Sequence, residues 1–276
     1  VRTSGYGQTG PYKDRAGFGA IGEAMGGLRY VTGFPDRPPT RIGVSIGDSL
    51  AALFATIGCL TALYEKTRSG QGQIVDTAIY EAVFSIMEST IPDFVLADYV
   101  RERMGNILPG IAPSNIYLTK DDTYVVIGAN ADGVFKRLCE AMGQPELAEN
   151  EKFKTHLARG RNMKELDLLI EQWTKSQTAK ETLNILAQKG VPSGLIYSAK
   201  EMLEDPQYKA REMIVEVEHE ALGKVPMPGI VPKLSRTPGA IQQPGGIKMG
   251  EHNEEIYREL GLTEEEIADL KGANII

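Results

Sequence analysis

The sequence predicts an α/β protein made of two bodies, and three observations carry that expectation. Helix-period and strand-like segments alternate over residues 1 to about 105. A charged stretch bearing Gly and Pro then runs from Arg101 to Pro113 and reads as a loop or linker. Beyond it a hairpin signal leads into a series of amphipathic helices. At 276 residues the chain can hold one large domain or two small ones, with ample surface to bury.

Taken in order, Val1-Arg2-Thr3-Ser4 reads as the end of a strand that runs into a Gly-rich turn. Helices are expected near 16–28 and 48–68. The second carries Leu50, Leu53, Phe54, Ile57, Leu60 and Leu63 at spacings of three and four, and Gly70 can end it. A strand at 73–76 and a helix over 80–99 follow. Segments 115–118 and 124–127 flank Lys120-Asp121-Asp122 as a hairpin would. Amphipathic helices are expected at about 131–142, 162–175 and 178–189, with the lone Trp173 on an apolar face beside Leu166, Leu169 and Ile170. A strand at 214–218 precedes a Pro-rich return over 227–239, and 253–270 is a charged helical tail. The sequence shows no internal repeat and no low-complexity tract.

Composition narrows the function classes. A charge of −7 without basic clusters argues against a nucleic-acid partner. The hydrophobic fraction of 42 % is ordinary, and no unbroken apolar run approaches the ~18 residues needed to span a bilayer, so no membrane partner is expected. Cys59 and Cys139 form no spacing motif and are expected as reduced thiols. His156, His219 and His252 are scattered, with no Cys or carboxylate at ligand spacing, so no metal site is expected. No basic n-region followed by an apolar core opens the chain, and a cytoplasmic protein is the expectation.

Two local patterns bear on chemistry. Gly5-x-Gly7-x-x-Gly10 satisfies the dinucleotide fingerprint as a string, but Pro11, Tyr12 and Lys13-Asp14-Arg15 follow where a helix should already be running. A turn that brings backbone close to a ligand or to Asp48 fits these glycines better. Asp48 itself stands in Ile46-Gly47-Asp48-Ser49, at the start of a strongly apolar helix. By position alone the plain reading is an N-cap. Ser49 beside it lacks a Gly-x-Ser-x-Gly elbow and a sequence-adjacent His, so a hydrolase nucleophile is not indicated.

A set of ordered blocks makes the reading specific. They begin with 4–12 (Ser4-Gly5-Tyr6-Gly7-Gln8-Thr9-Gly10-Pro11-Tyr12), Arg15-Ala16-Gly17-Phe18, Gly26-Gly27-Leu28, Thr32-Gly33 and Pro38-Pro39. They continue with 67–73, the stretch from Gly105-Asn106 to Ala112-Pro113, 190–194, Asp205-Pro206-Gln207 and Gly250-Glu251-His252. Together these blocks resemble the class III CoA-transferase (CaiB/BaiF) family, which includes formyl-CoA, carnitine and dicarboxylate CoA-transferases and has alpha-methylacyl-CoA racemase as a relative. The resemblance spans essentially the whole chain.

The resemblance implies part of a doubly wound, Rossmann-like large domain (1–105), a smaller α+β domain (106–230) and a C-terminal return to the large domain (231–276). It also implies an interlocked homodimer and a substantial N-terminal segment ahead of Val1, so the chain is expected to be N-terminally incomplete. By resemblance Asp48 falls on the catalytic aspartate. The implied binding positions are Gln8, Gly10, Gly47, Ser49, Gly105 and Asn106, with the 105–110 segment in the place of a closing loop but without a contiguous glycine run. No permanently bound cofactor is implied; the partners are an acyl-CoA and a free carboxylic acid. A carboxylate nucleophile would attack the thioester and pass CoA on through an anhydride and an aspartyl-CoA thioester, helped by the N–H groups and dipole of a helix N-terminus. A dicarboxylic acceptor would require a cation, for which Lys13, Arg15, Arg29 and Arg41 are candidates.

Two alternatives stay beside this one. Racemase chemistry needs a second base, and the Ala16-Gly17-Phe18-Gly19 context offers Phe18 where the racemase has His; oxalate transfer is disfavoured because Ala16 and Phe18 stand where oxalate-using transferases have Lys and Tyr. The other alternative is an inactive fragment of a CoA-transferase.

Overall fold

Strand β1 (Arg2–Ser4) lies parallel to β2 (Asp76–Ala78), with Arg2 opposite Asp76 and Ser4 opposite Ala78. This is the only parallel pair among the described residues. The structure is a computed structural model that describes residues 1–242 and 245–276. It divides into two compact units, Val1–Ile196 and Tyr197–Ile276.

In the first unit, β1 is followed by helices α1 (Gly19–Met25), α2 (Leu28–Val31) and α3 (Ile46–Ser69). After β2 come α4 (Ile79–Phe84) and α5 (Thr90–Ala97). Two expected helices are each broken once. The one expected over 16–28 starts only at Gly19 and stops at Gly26, because Gly27 takes a left-handed φ of +92° that no helix accommodates. The one expected over 80–99 is interrupted at 85–89, where Glu88 has φ +52°. Pro92 explains the restart: it falls in the first turn of α5, the one part of a helix that needs no N–H from it. Helix α3 runs from Ser45 as N-cap to a left-handed Gly70 whose N–H donates to the Lys66 carbonyl at 2.9 Å.

One expectation changes here. Helix α3 is long and apolar enough, by length and composition, to cross a membrane. Thr56, Gly58 and Thr61 interrupt its apolar run without making the segment polar.

Small residues also set how α1 packs. Gly19, Gly22, Glu23 and Gly26 recur at three and four and share one face. A Cβ on Gly22 would stand 2.5 Å from Ile79 Cγ2, and one on Gly26 would stand 2.6 Å from Val83 Cγ1. The α1 backbone therefore lies directly on the side chains of α4, closer than any larger residue permits. Ala51, Ile79 and Ala82 form the core of this contact, with Leu50 packed against them.

The rest of the unit is a separate core. Strands β3 (Ser114–Leu118), β4 (Tyr124–Gly128) and β5 (Ser193–Leu195) make an antiparallel sheet in the order β3-β4-β5. The hairpin register runs from Ser114 opposite Gly128 to Leu118 opposite Tyr124, as the sequence suggests. Helices α6 (Asp132–Ala141), α7 (His156–Arg161), α8 (Met163–Thr174) and α9 (Ala179–Gln188) cover it, with a 3-10 turn at Pro145–Glu149. Phe135, Leu138, Leu166, Ile170 and Leu186 are buried, and Trp173 packs against them as expected. Each such side chain contributes about 2 kcal/mol on burial. Arg159 is buried among them, donating to the carbonyls of Ala112, Phe153 and Asn130 and to Asp132 Oδ1 at 2.6 Å. Both cysteines are free, and burial pushes the Cys139 thiol up to about 12.

The second unit holds α10 (Ala199–Glu204), α11 (Pro206–Ala210), a hairpin of β6 (Ile214–His219) and β7 (Gly223–Pro228), then α12 (Asn253–Glu259) and α13 (Glu264–Gly272). The expected tail helix is two helices, because Gly261 at φ +94° ends the first and Thr263 caps the second through a reciprocal bond with Glu266.

Candidate active site

Asp48 is the third residue of α3, and its carboxylate points back across the first turn of α1. The N-cap is Ser45, so the capping role that position alone suggests for Asp48 does not hold: no backbone N–H among the described residues donates to its side chain. The residue is exposed and sits in the first turn, where the helix dipole favours negative charge.

What surrounds it is mostly backbone. A Cβ built on Gly19 would lie 2.3 Å from Asp48 Oδ2 and 2.9 Å from Oδ1. The carboxylate thus occupies the space a side chain at 19 would fill. Gly47, buried just before it, would place a Cβ 3.2 Å from Glu23 Cγ, 3.1 Å from Ile79 Cγ2 and 3.3 Å from the Gly19 carbonyl oxygen. The first turns of α1 and α3 therefore cross at Gly19 and Gly47. Behind the crossing lies Glu23, 1 % exposed, with Oε2 at 3.3 Å from the Arg29 guanidinium. Its Oε1 is buried without a hydrogen-bond partner among the described residues.

Ser49 is tied to its own helix: its hydroxyl donates to the Ser45 carbonyl at 3.0 Å. Phe18, the residue before Gly19, is 81 % exposed. It stands at the mouth of the crossing as an apolar side chain with no proton to exchange.

The Gly-rich turn reaches this region through glycines. A Cβ on Gly5 would lie 2.7 Å from the Gly17 Cα, two residues before Gly19. Gln8 is held by its N–H, which donates to Asp76 Oδ2 at 2.9 Å, and Gly7 N–H donates to the Ser4 hydroxyl. Gly10 turns with φ +82° in open space. No helix follows it; α1 starts nine residues on, in keeping with the rejection of a dinucleotide fingerprint.

Gly105 is held against the segment around Gly33. Gly105 N–H donates to the Gly33 carbonyl at 2.9 Å, and a Cβ there would press on the Phe34 ring at 2.8 Å. Tyr30 Oη donates to Glu102 at 2.6 Å, and Arg103 donates to the Tyr30 carbonyl. This stretch is fastened to 30–34. Among the cations, Arg15 stacks on the Tyr12 ring at 3.7 Å, Arg29 is paired with Glu23, and Lys13 and Arg41 are exposed. Among the described residues, no three His, Cys, Asp or Glu side chains cluster as a metal would require.

Gly19 and Glu23 escaped the sequence reading as site residues. The available signal was the period of small residues at 19, 22 and 26 with one acid among them.

With this geometry in place, comparison with known proteins is specific. Residues 1–253 match CoA-transferase family III. A protein of Chloroflexus aurantiacus named succinyl-CoA–D-citramalate CoA-transferase is 56 % identical over 277 residues, covering 100 % of this chain and 69 % of that protein. The beta subunit of a succinyl-CoA–L-malate CoA-transferase from the same organism is 36 % identical, again over 100 % of this chain and 69 % of its own length. Among solved structures, a CAIB/BAIF family protein from Brucella suis superposes with a TM-score of 0.76 at 34 % identity, covering 94 % of this chain and 66 % of that one.

Proposed function

The chain belongs to CoA-transferase family III, and on that premise we propose that this enzyme moves CoA from a succinyl-CoA-like donor to a free 2-hydroxy dicarboxylate of the citramalate kind, with Asp48 as the nucleophile. The observation that carries the reading is the 56 % identity, over the whole of this chain, with a succinyl-CoA–D-citramalate CoA-transferase. The exposed Asp48 carboxylate, in the first turn of a helix and free of hydrogen bonds from the protein among the described residues, supports its role as an available nucleophile.

In this scheme an Asp48 oxygen attacks the thioester carbonyl, the C–S bond breaks, and CoA leaves as the thiolate with a mixed anhydride left on Asp48. The thiolate attacks the Asp48 carbonyl of that anhydride and releases the donor acid, leaving an aspartyl-CoA thioester. The acceptor carboxylate attacks this thioester, again expelling the thiolate. The thiolate then takes the acceptor acyl group from the second anhydride and frees Asp48. No net bond energy is lost if water is kept out. Backbone N–H groups in the first turns of α1 and α3 are the donors at hand for the developing oxyanions.

The wider proposal includes an interlocked homodimer within a Rossmann-like architecture, with residues 1–105 and 231–276 in one domain and 106–230 in the other, acting in the cytoplasm. Exposed apolar side chains along α3, among them Leu53, Ile57 and Leu60, support burial of that face against further protein. Free cysteines support a reducing compartment.

The test is to incubate the protein with succinyl-CoA, trap with hydroxylamine and map the adduct by mass spectrometry. Modification of the peptide carrying Asp48, lost in Asp48→Ala together with CoA transfer to citramalate, is the expected result. Absence of any adduct, with exchange of the donor's alpha-proton for solvent deuterium, would overturn it in favour of racemase-type chemistry.

A further inference from the structure

We infer that Gly19 is the positioning residue of the nucleophile: the missing side chain at 19 is what lets the Asp48 carboxylate lie down on the first turn of α1. The inference rests on Asp48 being the nucleophile.

The distances decide which part of the structure would yield to a larger residue. A methyl at 19 would need the Asp48 carboxylate to retreat from 2.3 Å to roughly the 3.0 Å that real Cβ atoms respect. Moving the helix backbones instead would disturb close packing on either side. Gly47 already approaches Ile79, Glu23 and the Gly19 carbonyl to within what would be 3.1–3.3 Å of a Cβ. Gly22 is seated on Ile79 and Gly26 on Val83, two further points that fix α1 against α4. Close packing at 22, 26 and 47 thus brackets the backbone at 19. The carboxylate is the free end of a side chain, exposed and without a hydrogen bond to hold it among the described residues. It is the group that moves. Rotating it away leaves the packed crossing intact and re-aims the attacking oxygens, and a misplacement of about 1 Å at a reacting atom can lower a rate by about 10²-fold.

A residue that acts in this way has a distinctive signature. Gly19→Ala should keep the fold and the acyl-CoA KM within about twofold, yet lower kcat and the single-turnover rate of hydroxylamine-trapped adduct formation by about 10- to 100-fold. Thermal unfolding gives a second readout that requires no activity. Any loss of Tm caused by Gly19→Ala should be relieved when the same change is made in Asp48→Ala, because the obstructing carboxylate is gone. Folded Gly19→Ala that forms the adduct at the wild-type rate would overturn the inference while leaving Asp48 as nucleophile. A Gly19→Ala protein with lowered Tm and no relief in the Asp48→Ala background would overturn it too, since the obstruction would then lie elsewhere. A wild-type protein that forms no adduct would instead sink the assignment of Asp48 itself.

Discussion

The Glu23 carboxylate meets the Arg29 guanidinium through one oxygen only: Oε2 lies 3.3 Å from both Nε and Nη2, while Oε1 is buried and unpartnered among the described residues. The pair is unequal, because Glu23 is buried and Arg29 is 30 % exposed. Removing the cation should therefore hurt more than neutralising the acid. We expect Arg29→Ala to destabilise by about 3 kcal/mol, since it strands a buried charge. Glu23→Gln, which leaves an exposed cation able to turn to water, should cost about 1 kcal/mol. Urea unfolding of the two variants checks the order; equal losses would show that packing, and not charge, governs the site.

Arg159 presents the opposite case, a fully buried cation that feeds three carbonyls and one carboxylate. Arg159→Leu leaves those carbonyls without donors inside a packed core and should destabilise by about 3–5 kcal/mol. Its hydrogen bond and charge hold Asp132 below the ordinary carboxylate range. A carboxylate depressed in the folded state adds stability above its unfolded value near 3.8 and loses it as pH falls through the folded one. In Asp132→Asn that acid-side loss should shrink, as seen in Tm measured from pH 5 down to pH 2.

Tyr117 makes the alkaline counterpart. Burial, reinforced by the charge of Asp167 and the 2.6 Å bond its hydroxyl donates to that carboxylate, raises its ionisation well above the ordinary tyrosine range. The unfolded chain ionises this phenol near 10.0 and the native one does not. Stability from this group is therefore complete below pH 10 and declines as pH rises further. Tyr117→Phe should cost about 1–2 kcal/mol at pH 7 and flatten that alkaline decline; an unchanged slope would assign the decline to other groups.

Cys139 should be inert in the native protein. Its thiol is pushed up to about 12 and buried, whereas Cys59 is partly accessible. Alkylation with iodoacetamide at pH 8 is expected to spare Cys139 until denaturant is added, and peptide mapping reads this directly.

The parts legible in the sequence are those with strong internal periodicity. Helices α6, α8 and α9 fall within a residue or two of expectation, because a stripe such as Leu166, Leu169, Ile170 and Trp173 has one way to be buried. The β3–β4 hairpin follows from its two apolar runs around Asp121-Asp122. Strand β5 did not show, since three residues with one large apolar side chain carry no period; β4 supplies its pairing. The breaks at Gly27 and Glu88 depend on single backbone conformations within runs that otherwise look helical. Asp48 stood out through the resemblance of whole blocks, while position alone suggested a cap, a role the structure gives to Ser45. Its partner Gly19 was hidden for a simpler reason. The contact joins residues on two helices, and nothing short of the folded crossing brings them together.

The crossing of α1 and α3 also bears on how such a site would look to experiment. A position whose contribution is the space it leaves empty has no titration, no reactivity and no spectroscopic label. In a saturation mutagenesis scan, Gly19 should tolerate almost nothing, while exposed Phe18 beside it accepts broad replacement. The outline of the seat of Asp48 would then be drawn by intolerance at 19 and 47, a map of forbidden volume traced by lost turnover instead of by chemistry.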